Sequence, residues 1–109
     1  MGYTRHHAII VTAENKELIT VAYKKAKSIF EYVPKITPMA MNGVSSFFIP
    51  PDGSKEGWEE SDRGDIRRAH FIEWLDHSTS LKWAEVQYGD DKGESRIIRH
   101  SEEQKPSAE

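Results

Sequence analysis

The chain has 109 residues, no cysteine and a formal net charge of −3. This is a common size for one domain, and it buries enough surface on folding for a core without disulfides. The lack of cysteine excludes disulfide frameworks, zinc–thiolate sites and thiol nucleophiles. The acidic balance argues against extensive nucleic-acid binding.

The boundaries of the domain follow from the apolar pattern. Near the N-terminus the longest apolar run is Ala8 to Val11, which is too short for a signal-peptide core or a membrane span. Residues 1–100 are predicted to form a single α+β domain, and the polar residues 101–109 a disordered tail. We expect a cytoplasmic protein without membrane association.

A strand and a helix are predicted for the first third of the chain. His6 to Val11 ends in four consecutive apolar residues, which is typical of a strand buried on both faces. Thr12 or Asn15 can cap the helix that follows. Apolar residues then recur every three or four positions as far as Val33, and Pro34 ends the helix.

The middle of the chain contains a hairpin signal and a second helix. Two strand-like runs, 36–41 and 44–49, flank Asn42-Gly43, a pair typical of a tight hairpin turn. One long strand with a glycine bulge is the alternative. Asp62, followed three residues later by Asp65, resembles a cap for a helix over about 64–77.

Two further strands are predicted at 81–88 and 94–99, around a turn at 89–93. The order of elements predicts an α+β fold, a ferredoxin-like two-layer sandwich of the order β-α-β-β-α-β plus an extra C-terminal edge strand. The sheet is expected to be mainly antiparallel, with both helices on one face.

One stripe of the second predicted helix carries His70, Glu73 and His77. Imidazoles and a carboxylate are suitable ligands for a divalent metal. However, the two histidines are about 10.5 Å apart along the helix axis, too far to share one ion easily. A solvated polar face is the favoured interpretation; the sequence predicts no cofactor, with a divalent metal at these residues as the minor alternative.

A cationic pocket is the candidate ligand-binding site. Its residues are His6, His7, Arg96, Arg99 and His100, which flank the ends of the first and last predicted strands. If those strand ends are neighbours, the five side chains can bind a phosphate or another small anion. The favoured interpretation is a polar strand entrance and a charged edge strand that discourages aggregation.

Four residues are candidates for an interface. Trp58 lies in an acidic loop, where it either anchors a basic partner or packs over the sheet edge. Arg68 points toward the apolar face of its helix, where it extends to solvent or pairs with a carboxylate. Trp83 and Tyr88 lie on opposite faces of their strand, so both sheet faces are expected to be apolar.

These observations favour a small non-enzymatic binding module that self-associates as a homo-oligomer and engages a protein or a small nucleotide-like anion. No nucleotide-binding, metalloprotease or serine-hydrolase motif is present in the sequence. The alternatives are a ligand-sequestering protein and a small hydrolase or nucleotide-processing enzyme that uses the cationic pocket or a metal at His70 and His77. The compact size and polar loops resemble phage or prophage accessory proteins in general style, without assigning a role to any residue.

Overall fold

The computed structural model describes residues 6–37, 41–53, 57–78, 80–89 and 95–101. In chain order the elements are β1 (His6–Ala13), α1 (Lys16–Ile29), β2 (Ser45–Ile49), α2 (Glu59–Asp76), β3 (Lys82–Tyr88) and β4 (Arg96–His100). The four strands form one sheet in the order β2-β1-β3-β4. Every neighbouring pair is antiparallel. No helix within the described ranges has both the length and the apolar character needed to cross a membrane.

Both helices cover the same face of this sheet. Residues on one face of the strands alternate with residues on the other, and Ile9, Val11 and Phe47 belong to the face that is fully buried. A single hydrophobic core joins this face to both helices; it contains Ile9, Val11, Ala13, Phe47, Ile49 and Trp83 from the strands and Ile19, Ala22, Ala26, Phe71, Ile72 and Leu75 from the helices. The predicted α+β two-layer architecture is therefore confirmed.

Helix α1 begins where the sequence predicts and ends earlier. The side-chain oxygen of Asn15 accepts a hydrogen bond of 3.0 Å from the backbone N–H of Leu18, which caps the first turn. The helix ends at Ile29, because Phe30 adopts an extended backbone conformation. Val33, beyond the helix, still packs into the core and is only 7% exposed. The apolar pattern used to predict the helix therefore continues into the segment after it, which is why the predicted end was too late.

Helix α2 is longer than predicted and differs between its N-terminal and C-terminal parts. It begins at Glu59 rather than near residue 64, so the predicted Asp62 cap lies inside the helix. As far as Arg68 the buried residues are Ser61, Gly64 and Arg68, and beyond it they are Phe71, Ile72 and Leu75. The C-terminal part contributes to the hydrophobic core, and the N-terminal part buries a polar stripe.

Gly64 permits a close approach in that polar stripe. A Cβ atom at this position would lie 2.8 Å from Oδ2 of Asp52 and 3.1 Å from Nη1 of Arg68. Real Cβ atoms essentially never approach other atoms as closely as the shorter distance. The absence of a side chain therefore leaves room for the Asp52 carboxylate and the Arg68 guanidinium to lie against the helix backbone.

The segment before β2 contains a tight turn. Asn42 and Gly43 have φ angles of 55° and 70°, and the N–H of Val44 donates to the carbonyl of Met41 over 3.1 Å. This is the geometry of a two-residue hairpin turn. The N–H of Thr37 also donates to the Ser46 carbonyl, at 2.8 Å.

The predicted arm before this turn is not a strand at residues 36, 37 and 41, and its remaining residues, 38–40, lie outside the described ranges. The described elements follow the order β-α-β-α-β-β, with antiparallel pairs throughout. A split βαβ unit contains parallel strands. The exact ferredoxin-like order is therefore not confirmed, although the two-layer class is.

The domain boundary near residue 100 has one defined contact. Ser101 was predicted to begin the tail, but its N–H donates to the Trp83 carbonyl over 2.8 Å, and its hydroxyl oxygen accepts from the Trp83 N–H over 3.1 Å. Residues 102–109 lie outside the described ranges.

We expect Leu75→Ala to lower the free energy of unfolding by about 2–5 kcal/mol, because it opens a cavity in the core. Leu75 is 0% exposed. Ile66 lies on the same helix, is 70% exposed and provides a control of similar size. Ile66→Ala is expected to change stability by less than about 0.5 kcal/mol. Urea unfolding of both variants measures the difference, and equal effects would contradict the assignment of the α2 inner face.

Candidate functional site

A buried carboxylate lies on the helix-covered face of the sheet. Glu85, in β3, is 2% exposed. Its Oε1 accepts from Nε and lies 2.7 Å from Nη2 of Arg99, and its Oε2 lies 3.5 Å from Nε of Arg68. Arg68 also donates to Asp65 one turn earlier in α2. We call Glu85, Arg68, Arg99 and Asp65 the Glu85 cluster.

The charges of the Glu85 cluster balance within the chain. Two guanidinium groups face two carboxylates, so no net charge is buried when nearby His7 is neutral. Nδ1 of His7 lies 4.0 Å from Oε2 of Glu85. Burying a charge is costly unless it is paired and hydrogen-bonded, so this matching accounts for a charged group in the interior.

The predicted cationic pocket is divided between two faces of the sheet. β3 separates β1 from β4, so the strand ends that carry its residues are not neighbours. His7 and Arg99 approach Glu85 on the covered face. His6 lies beside Tyr88, with ring centroids 5.2 Å apart, and His100 pairs with Ala84; both belong to the opposite face. Arg96 pairs with Gln87 at the covered face.

The residues of the predicted cationic pocket do not share one set of contacts. Arg99 is held by Glu85, because its Nε donates to the Glu85 carboxylate over 2.7 Å. The five groups do not converge on one cavity in the described part of the chain. Their role in ligand binding stays a prediction.

The face of the sheet opposite the helices is apolar and uncovered among the described residues. We call it the open face. The register joins Ile10 to Phe48 and to Ala84, and joins Val86 to Ala8 and to Ile97, in two adjoining rows across the strands. Tyr88 continues the band toward the end of β3. Four of these side chains are substantially exposed: Ile10 at 46%, Phe48 at 43%, Tyr88 at 38% and Ile97 at 61%.

Polar groups border this apolar band. At one end Thr12 lies between Ser46 and Lys82, and the hydroxyl oxygens of Thr12 and Ser46 are 2.7 Å apart. His6 lies at the other end and His100 at the β4 edge. No carboxylate belongs to the strand residues described on this face. A contiguous apolar patch with a polar border is typical of an interaction surface.

The four predicted interface residues occupy different environments. Tyr88 lies on the open face, and Trp58 is 51% exposed at the start of α2. Trp83 is instead packed in the core at 6% exposure, and Arg68 is 7% exposed in the Glu85 cluster. Arg68 thus pairs with carboxylates inside the chain, one of the two alternatives predicted for it.

The predicted metal ligands lie on the exposed side of α2. His70, Glu73 and His77 are all exposed, and Nδ1 of His77 is 2.7 Å from the backbone oxygen of Glu73. Across the described ranges, no group of three or more such side chains is arranged to hold a metal ion. The metal interpretation gains no support from this geometry.

Sequence reasoning did not select Glu85 or three of the exposed open-face residues, Ile10, Phe48 and Ile97. The continuous apolar run of β1 predicts a strand buried on both faces, and this prediction is wrong for the second face, because Ile10 is 46% exposed. The same run nevertheless marks Ile10 as part of an apolar surface. No comparable pattern identifies Glu85, because a single acidic residue in a strand is expected to face solvent. Arg68 reaches Glu85 only through the packing of α2 against β3.

Comparison of the chain with protein-family models, with curated proteins and with solved structures gives no match. A functional interpretation therefore depends on the geometry alone. The Glu85 cluster satisfies its own charges, whereas the open face exposes apolar side chains that have no cover in the described structure. We take the open face as the candidate functional surface.

We expect Glu85→Gln to lower the free energy of unfolding by roughly 3 kcal/mol, because it removes the buried charge that faces Arg68 and leaves that guanidinium only the exposed Asp65 carboxylate. Glu73→Gln makes the same chemical change at an exposed position of α2 and is expected to cost less than about 0.5 kcal/mol. Chemical denaturation of the two variants measures the contrast. A cost at Glu85 no larger than at Glu73 would refute the stabilising role of the cluster.

Proposed function

We propose that the protein is a small non-enzymatic binding module that self-associates through the open face of its sheet. The apolar band of Ile10, Phe48, Val86, Tyr88 and Ile97 supports this proposal. An antiparallel sheet with one face in water normally alternates apolar and polar residues. In β1 that alternation is absent, since Ile10 lies between the core residues Ile9 and Val11.

A second copy of the chain is the occupant that fits this band best. Outside the described ranges, this sequence contains three large apolar residues, Met1, Tyr3 and Met39. Three side chains are too few to cover a band that crosses four strands. A second copy supplies an apolar band of the same width, and two sheets can pack face to face about 10 Å apart.

The charge pattern of the open face is also compatible with a two-fold symmetric pair. In such a pair the same patch contributes from both copies, and residues near the two-fold axis contact their own copies, so a charged group in the centre of the patch would meet a like charge. Here the centre is apolar, and the charged or titratable groups Lys82, His6 and His100 lie at the border. The border can stay hydrated while the band is buried.

The size of the band indicates a weak association. Four strands about 4.8 Å apart make a band roughly 14 Å wide. A standard stable interface buries about 800 Å² on each partner, which is more than a band of this width supplies alone. We therefore expect a dissociation constant on the order of tens of micromolar.

Ile97→Lys is expected to weaken self-association by at least about tenfold, because it places a charge in both copies of the patch. Ile97 lies in an edge strand at 61% exposure, so the substitution spares the core. Ile66→Lys is the matched control: the same change at 70% exposure on the outer side of α2 should leave the dissociation constant within about twofold. Sedimentation velocity from a few to several hundred micromolar measures both.

Phe48→Lys, on the opposite edge of the same band, provides a second test and is expected to act like Ile97→Lys. Thermal unfolding verifies that each variant is folded. A wild-type chain that remains monomeric at several hundred micromolar would overturn the proposal. So would an association that Ile66→Lys weakens as strongly as Ile97→Lys, because the contact would then involve another surface.

A further inference from the structure

A cavity of about 300 Å³ lies on the helix side of the molecule, away from the open face. It is formed where the segment after α1, the turn after β2 and the first half of α2 meet. We call it the α1–α2 cavity and define it by Phe30, Tyr32, Pro51, Asp52, Gly64 and Arg67. Its volume is at the lower end of the roughly 300–1,000 Å³ typical of small-molecule sites.

Arg67 differs from the other arginines of α2 because no carboxylate in the described ranges forms an ion pair with it. Of the three arginines in α2, Arg63 is paired with Glu59 and Glu60, and Arg68 is paired with Asp65 and Glu85. Arg67 is half-buried in the cavity wall and has no ion-pair or hydrogen-bond partner within the described ranges. A guanidinium group presents a planar fork of donors that suits a carboxylate or a phosphate.

Aromatic rings provide the other chemical feature of the cavity. Tyr32 is 70% exposed and makes no contribution to the core. Phe30 is half-buried and held edge-on against Phe71, with ring centroids 5.8 Å apart. One exposed ring and one fixed ring beside a guanidinium are suited to a flat ligand, because aromatic faces favour stacked or edge-to-face contacts.

The floor of the cavity is fixed before any ligand binds. Asp52 and Arg68 both approach the Gly64 backbone, and Arg68 is held in turn by Glu85. The proline pair Pro50-Pro51 restricts the backbone of the turn that carries Asp52. A preorganised site loses less conformational entropy on binding.

Two lining carboxylates, Glu31 and Asp52, oppose an anion at Arg67. Asp52 lies against the Gly64 backbone, as the Arg68 guanidinium does. Glu31 is exposed, so its carboxylate competes with an anionic ligand for the Arg67 guanidinium. This competition predicts opposite effects for two neutral substitutions: removing the arginine weakens anion binding, and removing the glutamate strengthens it.

We infer that the α1–α2 cavity binds a small planar ring that carries a phosphate or a carboxylate, with the anion at Arg67 and the ring against Tyr32 and Phe30. A nucleoside monophosphate and a simple aromatic carboxylate share this chemistry. The site is separate from the open face, so this inference goes beyond self-association and does not depend on it.

Titration of the full chain with AMP, benzoate, ribose 5-phosphate and inorganic phosphate, followed by NMR and calorimetry, tests the inference. We expect AMP or benzoate to bind with one site per chain. The matched ligand without a ring, ribose 5-phosphate for AMP and inorganic phosphate for benzoate, should bind at least tenfold more weakly. Arg67→Gln should weaken binding of the ring-bearing probe at least tenfold, and Glu31→Gln should strengthen it severalfold.

Arg63→Gln is the control, because it removes an arginine from the same helix outside the cavity. It should leave the affinity within about twofold of the wild type, and circular dichroism should show that all variants are folded. The inference fails if neither AMP nor benzoate binds at millimolar concentration. It also fails if the ligand without a ring binds as tightly, or if Arg63→Gln weakens binding as much as Arg67→Gln does.

Discussion

The structure depends on one constraint: both helices pack on the same side of a sheet whose two sides are apolar. Burying Ile9, Val11 and Phe47 against α1 and α2 forms the only hydrophobic core seen in the described residues. The same placement leaves Ile10 and Phe48, their immediate neighbours in the strands, on the other side. Adjacent strand residues point to opposite faces, so a run of consecutive apolar residues produces both the core and the open face. The alternation of side chains along the strands makes the open face apolar. The open face stays exposed because both helices lie on the other side of the sheet.

The Glu85 cluster shows how the second helix is held at the end where the core is polar. α2 contacts the sheet through Arg68 near the middle of the helix and through apolar groups closer to its C-terminus. Sliding the helix by one turn, about 5.4 Å, would separate the Arg68 guanidinium from Glu85 and leave that buried carboxylate without Arg68. The cluster therefore disfavours other registers of α2 on β3. The cluster fixes the orientation of α2 on the sheet more than it stabilises the fold, because a buried ion pair contributes little more free energy than apolar packing in its place.

The two proposed binding surfaces are on opposite sides of the molecule and use different forces. The open face offers apolar area with charges only at its border, and the α1–α2 cavity offers one unpaired guanidinium beside aromatic rings. A second copy on the open face leaves the cavity accessible, because the helix layer lies between them. A self-associated form of the protein can thus present one cavity on each outer side.

The sequence by itself determined the features that depend on neighbouring residues. These include the two helices and the apolar character of both faces of β1. For the helix cap and for Asn42-Gly43 the sequence narrowed the choice to two alternatives each, and the structure selects the Asn15 cap and the tight turn. Only the tertiary structure decided that β3 separates β1 from β4, that Trp83 lies in the core and that Arg68 meets Glu85. Periodicity and capping act over a few residues, whereas strand order and the pairing of buried charges join residues far apart in the chain. No local pattern encodes that choice, because it is made by the packing of all elements together.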